Sequence, residues 1–250
     1  MTLQRWRVLL EYDGSDWAGW QRQESAPTIQ GAVEAALQRL LGHPARVTVA
    51  GRTDAGVHAA GQVACFMTQV QRSPQAMRDG LSAQLPASVA CLRADPVPDV
   101  FDPRRAPHRK TYLYTWLVRS TRSPLRAGRV WHLRRPLDVA AMDQAARILV
   151  GTHDFSSFRA SGCSARTTVR TIWRCWVEAH DDEVRLRMVG TGFLRHMVRI
   201  VAGTVLEVGR GRREPDWVAD VLAAGDRRRA GRTAPPRGLL LERIDYDESA

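Results

Sequence analysis

With 250 residues, 44% of them hydrophobic and 25% charged, the chain is long enough for one large domain or two small ones with an apolar core, and disorder and low complexity are excluded. No apolar run nears the roughly 20 residues of a membrane-spanning helix, and Cys65, Cys91, Cys163 and Cys175 form no CxxC pair of the kind that binds zinc or cycles as a dithiol. The formal net charge is +11 and uneven: residues 1–103 hold nine Lys and Arg against ten Asp and Glu, residues 104–250 twenty-eight against sixteen.

Trp6, Val8, Leu10 and Tyr12 alternate, which predicts a half-buried strand rather than the apolar block of a signal peptide. Without an export signal the default compartment is the cytoplasm, with reduced thiols. Thr28 is placed to cap a helix whose apolar residues Ile29, Val33, Ala36, Leu37, Leu40 and Leu41 fall at helical spacing, with Gly42 ending it. A short strand over 46–50, a polar loop and a strand over 62–67 follow. A second helix starts after Ser73-Pro74, and a strand over 89–94 precedes the Pro-rich stretch 96–107.

A second pass repeats this order. Tyr112, Tyr114, Trp116 and Val118 alternate on a strand, and a helix fits 139–150. After a long loop over 151–168 come strands over 171–179 and 184–189, turned by Asp181-Asp182. A helix over 193–208 carries Leu194, Met197, Val198, Val201, Val205 and Val208 on one stripe, and a helix over 215–224 precedes a last strand over 239–246. Each pass reads β-α-β-β-α-β, a split βαβ (ferredoxin-like) unit. The expectation is an α+β fold with largely antiparallel sheet, with units at 1–103 and 104–250.

The basic second half points to a polyanionic partner, and a nucleic acid suits it better than a membrane surface, since no basic amphipathic helix has a bulky apolar face. The loop Gly51-Arg52-Thr53-Asp54-Ala55-Gly56-Val57-His58-Ala59 is longer than a hairpin needs, and its glycines bracket one arginine and one aspartate. Asp54 there is either an Asx-turn residue bonding its own backbone or a nucleophile or general base. Arg195 and Arg199 are four apart on the 193–208 helix, and Arg199 sits mid-helix beside buried positions, where a carboxylate or phosphate partner best explains it. In Arg109-Lys110-Thr111-Tyr112-Leu113-Tyr114 aromatics alternate beside cations, a pattern that either stacks bases or packs a core. The loop 151–159 holds Phe155 and Phe158, read as anchors; Asp13 and Asp16 alone do not make a magnesium site. There is no GxxxxGKS, GxGxxG, HExxH or GxSxG motif.

Taken together, Tyr12-Asp13-Gly14 with Gly19-Trp20-Gln21, the 51–59 loop, Lys110-Thr111-Tyr112-Leu113-Tyr114, His153-Asp154-Phe155 with Phe158-Arg159, and Gly192-Phe193-Leu194-Arg195-His196-Met197-Val198-Arg199 resemble the tRNA pseudouridine synthase A family, in order and over nearly the whole chain. The resemblance implies conversion of uridine to pseudouridine at positions 38, 39 and 40 of the tRNA anticodon stem-loop, without cofactor or metal, by a homodimer, and the pairing of Arg199 with Asp54 that it implies would put the active site in a cleft between the two units. It makes Asp54 the catalytic aspartate, Arg52 the arginine that helps displace the target nucleotide, and Tyr112 the tyrosine that stacks on the base. Arg199 then pairs with the aspartate and Leu241 lines the pocket. Two rivals explain parts of the pattern. A non-catalytic RNA-binding protein accounts for the basic half but not for Arg52 and Asp54; a base-excising hydrolase would release free uracil.

Overall fold

The computed structural model describes residues 3–246. In chain order its elements are β1 (Gln4–Tyr12), α1 (Ile29–Leu41), β2 (Thr48–Val49), β3 (His58–Thr68), α2 (Pro74–Gln84), β4 (Val89–Val97), β5 (His108–Val118), β6 (Trp131–Leu133), α3 (Val139–Arg147), β7 (Gly151–Asp154), β8 (Val169–His180), β9 (Glu183–Gly190), α4 (Met197–Gly209), α5 (Trp217–Ala224) and β10 (Leu239–Tyr246). The fold is mixed α+β, and its strand pairings are mostly antiparallel. The chain divides into two compact units: residues up to His108 together with the segment from Leu241, and Arg109–Leu240. The expected boundary after residue 103 falls after His108 in this division, and most of the last strand, expected in the second unit, groups with the first.

In the first unit the strands run β4-β1-β3-β10, with β2 also on β3. Trp6, Val8, Leu10 and Tyr12 are all buried, as their alternation requires, and Trp6 stands between Phe66 and Pro96 of the neighbouring strands. Thr28 accepts from Gly31 N at the start of α1, and Gly42 closes the helix at φ 77°. Ser73 caps α2, with Pro74 in its first turn. β4 runs past the expected end at 94 through Pro96. As the last strand in its order, it tolerates a residue that cannot donate. β3 starts four residues before the expected 62, because Ala59 pairs with Tyr12. His58-Ala59-Ala60-Gly61 has little intrinsic strand preference, and tertiary pairing overrides it.

In the second unit the order is β5-β9-β8-β7, all antiparallel, with short β6 parallel to β5. Asp181 and Asp182 turn β8 into β9, with Asp181 at φ 52°. Arg126 and Arg119 clamp Asp182 at 2.6 and 3.1 Å. Two short strands lie outside the expectations: β6, and β7 within what reads as a long loop. Both are too short to show a period. α4 starts at Met197 rather than 193 and is buried nearly all round rather than along one stripe. The cause is the segment 231–234, which lies against it. The Arg232 carbonyl packs where Gly203 has no side chain, and Thr204 Oγ1 accepts from Gly231 N at 3.0 Å.

Candidate active site

Asp54 lies in the connection 50–57 between β2 and β3. Ala50 N still donates to Val63 O at 2.9 Å, so strand pairing outlasts β2 by one residue. Thr53 is then the buried foot of the loop, between exposed Arg52 and half-buried Asp54. Its carbonyl accepts from Trp20 N at 3.0 Å, and its hydroxyl lies 2.8 Å from the Tyr12 hydroxyl. The Asp54 carbonyl accepts from Val57 N at 3.2 Å, and Gly56 N donates to Trp17 O at 3.3 Å. Gly56 takes φ 73°, the left-handed conformation that favours glycine.

A second loop, 13–20, supports this one from behind. Gly19 holds φ 94°, and a Cβ there would stand 2.8 Å from Thr53 O and 3.0 Å from Asp54 C and Ala55 N. Backbone therefore packs on backbone directly at the aspartate. Asp13 Oδ1 accepts from Ser15 N at 3.0 Å and from Ser15 Oγ at 2.7 Å, and lies 3.1 Å from His58 Nδ1. That Asx turn shapes the supporting loop.

Sequence reasoning missed a polar network beneath the loop. Gln62 Nε2 donates to Gly51 O at 2.8 Å and to the Tyr12 hydroxyl at 3.2 Å, while Gln62 Oε1 accepts from Val63 N at 3.1 Å. Burial pushes the Tyr12 hydroxyl up to about 12, against the lowering effect of its hydrogen bonds with Thr53 and Gln62. The available signal was Gln62 itself, the one polar residue in the otherwise apolar and small run Ala59–Met67.

In the second unit Arg199 occupies the first turn of α4, not its middle as the periodicity suggested, with His196 as N-cap at φ 60°. Its Nε donates to Ala234 O at 2.8 Å, and its carbonyl accepts from Ala234 N at 3.0 Å. A cation in a first turn opposes the helix dipole, so these bonds fix a guanidinium where helix electrostatics disfavours one. Arg195 precedes the helix, is exposed, and donates to Ser161 O at 3.1 Å. The two arginines therefore do not share a helix face.

Tyr112 is buried on β5, edge-on to Phe193 with ring centroids 4.9 Å apart. Tyr114 is core: its hydroxyl donates to Pro235 O at 2.9 Å, and burial pushes it well above the usual tyrosine range. Lys110 is buried too, so β5 is not an open strip of aromatics and cations. That pairing occurs instead around β8, where Arg109 stacks over Trp173 at 5.2 Å and Arg174 over Trp176 at 4.6 Å. Leu241 is fully buried. Phe155 and Phe158 are fully buried anchors, as expected, and Asp154 is held below the usual carboxylate range by hydrogen bonds with Thr168 and Ser156.

The family model described as tRNA pseudouridine synthase matches residues 9–104 and 145–247. Arg52, Asp54, Arg199 and Leu241 fall within the matched stretches, and Tyr112 falls between them. Proteins named tRNA pseudouridine synthase A match across almost the whole chain. That of Myxococcus xanthus is 51% identical, over 97% of this chain and 92% of its own length. That of Syntrophotalea carbinolica is 46% identical over 96% and 95%, and that of Methylobacterium radiotolerans 45% identical over 97% and 98%.

Proposed function

The chain belongs to the tRNA pseudouridine synthase A family, and from that premise we propose that it isomerises uridine to pseudouridine at positions 38, 39 and 40 of the tRNA anticodon stem-loop, with Asp54 as its catalytic carboxylate. The observation that carries the reading is the construction of the Asp54 loop. Its backbone is bonded to Trp17 and Trp20 and pressed against Gly19, while Asp54 itself stays half-buried. A rigid loop holding one carboxylate is what positional catalysis requires.

The reaction breaks the C1′–N1 bond of the nucleoside, turns the uracil, and joins C1′ to C5; the C5 proton is lost and N1 gains one. No atom is added, so the detached base must stay trapped. An ionised carboxylate serves by attacking the sugar, attacking the ring, or abstracting a proton to give a glycal. Removing a carboxylate from water favours its neutral form, and a paired cation offsets this. Arg199, a guanidinium fixed in the first turn of α4, is proposed as that partner. Flipping the target nucleotide costs a few kcal/mol; exposed Arg52 is proposed to help displace it, Tyr112 to stack on the base and Leu241 to line the pocket. The enzyme is proposed to work as a cytoplasmic homodimer.

Unmodified tRNA incubated with the protein tests the reading. Pseudouridine mapped to 38–40, with no free uracil, is the expected outcome. Free uracil would indicate a hydrolase, and tRNA binding without modification a binding protein. Sedimentation at micromolar protein tests the dimer.

A further inference from the structure

We propose that Tyr12 is a positioning residue for the reaction: its buried hydroxyl, tied to Thr53 and Gln62, sets the placement of the loop that presents Asp54. The inference rests on the assignment of Asp54 made above. Tyr12 ends β1 and is 2% exposed, so its hydroxyl has only protein partners to serve. Gln62, wholly buried on β3, has its amide orientation fixed by Gly51 O. A carbonyl accepts only, so the atom 2.8 Å from it is Nε2. That same Nε2 donates to the Tyr12 oxygen, which leaves the tyrosine's own proton for Thr53 Oγ1 at 2.8 Å.

The chain of bonds therefore grips the loop at two places, the Gly51 carbonyl and the Thr53 side chain, on either side of Arg52 and immediately before Asp54. β1 and β3 pair directly, with Tyr12 opposite Ala59, so both anchors belong to one rigid sheet. Loss of one bond in a buried network leaves the other members unsatisfied. Here the member that would move is the residue next to the carboxylate. Small displacements of a catalytic group are expensive: about 1 Å can cost on the order of a hundredfold in rate. With its proton retained to about 12, Tyr12 gives up none at ordinary pH. Its effect on rate is geometric.

The test compares Tyr12→Phe, Thr53→Val and Thr53→Ser in the full-length protein, each checked for wild-type circular dichroism and for a melting point above the assay temperature. Tyr12→Phe and Thr53→Val are expected to lower kcat on the order of tenfold, with KM and tRNA affinity within about twofold. Thr53→Ser, which keeps the hydroxyl, should recover most of the rate. The double variant Tyr12→Phe/Thr53→Val should be no slower than either single, because both remove the same bond. The offset from wild type should be constant over about pH 6 to 9, since no group in the network titrates there. Wild-type kcat in folded Tyr12→Phe, or Thr53→Ser as slow as Thr53→Val, would overturn the proposal. Should Tyr12→Phe not fold, the Thr53 pair decides alone. Turnover by Asp54→Asn at close to the wild-type rate would instead sink the assignment of Asp54, so the two failures are distinguishable.

Discussion

In the first unit the residue assigned to the chemistry sits on an irregular loop, whereas in the second Tyr112 and Arg199 sit on a strand and in the first turn of a helix. The loop is held by neutral hydrogen bonds and by backbone packed on backbone at Gly19. The regular elements need no such support, but they must place a cation against the helix dipole and fix it with Ala234. Charge divides the same way, with the excess of arginine beyond residue 104. On the proposed assignment, placement of the carboxylate is a problem of close packing in one unit, and handling of the tRNA a problem of charge in the other. Substitutions in the two should fail differently.

The largest expected effect is Asp54→Asn. Turnover should fall on the order of a thousandfold or more, the scale of a positioned catalytic group, with tRNA affinity within a few-fold. Pseudouridine formation within about tenfold of the wild-type rate would remove Asp54 from the chemistry.

Next comes a contrast between two glycines of the same unit. Gly19→Ala must adopt φ 94° and place a Cβ 2.8 Å from Thr53 O. Gly42→Ala needs φ 77° with nothing within 4 Å. Both should lose about 1–2 kcal/mol from the left-handed conformation, but only Gly19→Ala should also displace the Asp54 loop and lower kcat. Equal kcat in the two variants, measured on folded protein, would show that the Gly19 contact does not place the carboxylate.

That contrast also marks what the sequence made legible. Thr28, Gly42 and Ser73 announced helix ends because caps are local chemistry. The alternation of β1 announced a strand because period 2 survives in any context. Arg199 was misplaced along its helix because Gly192–His196 continues an apolar pattern, and only the left-handed backbone at His196 stops the helix there. The pattern around Tyr114 fitted base stacking and core packing equally; β5 is buried on both faces, and the local pattern does not report what covers a strand. The Tyr12–Thr53–Gln62 network joins positions up to fifty residues apart and leaves no mark except one polar residue in an apolar run.

A smaller effect concerns the basic region. Log affinity for tRNA should fall linearly with log salt, with a slope of about 0.7–0.9 per phosphate neutralised. Replacing the exposed Arg134 and Arg135 by Gln should make the slope shallower by about 1 to 2. Replacing Arg72 and Arg78 of the first unit, which are bonded to Leu40 O and Asp79, should leave it unchanged. Equal slopes in the two double variants would mean that the charge asymmetry does not locate the RNA.

The smallest effect is silent at neutral pH and appears only in alkali. Tyr12 titrates near 10 when unfolded and at about 12 when folded, chiefly because burial disfavours the phenolate. Below pH 10 both states hold the proton and its contribution to stability is fully present. Between about 10 and 12 the unfolded chain loses the proton first, so that contribution declines by up to about 1.4 kcal/mol per pH unit. Burial likewise pushes Cys65 and Cys91 up to about 12 from 9, which steepens the decline and starts it near pH 9. Tyr12→Phe removes one of these groups and leaves the others. Its stability, measured by urea unfolding at successive pH values, should lie below wild type near pH 8, where the hydroxyl's bonds are lost. The gap should narrow from pH 10 upward as wild type loses the advantage of its protonated phenol. A gap that stays constant to pH 12 would show that the Tyr12 hydroxyl is not sealed from water, and a network open to water could not grip the Asp54 loop.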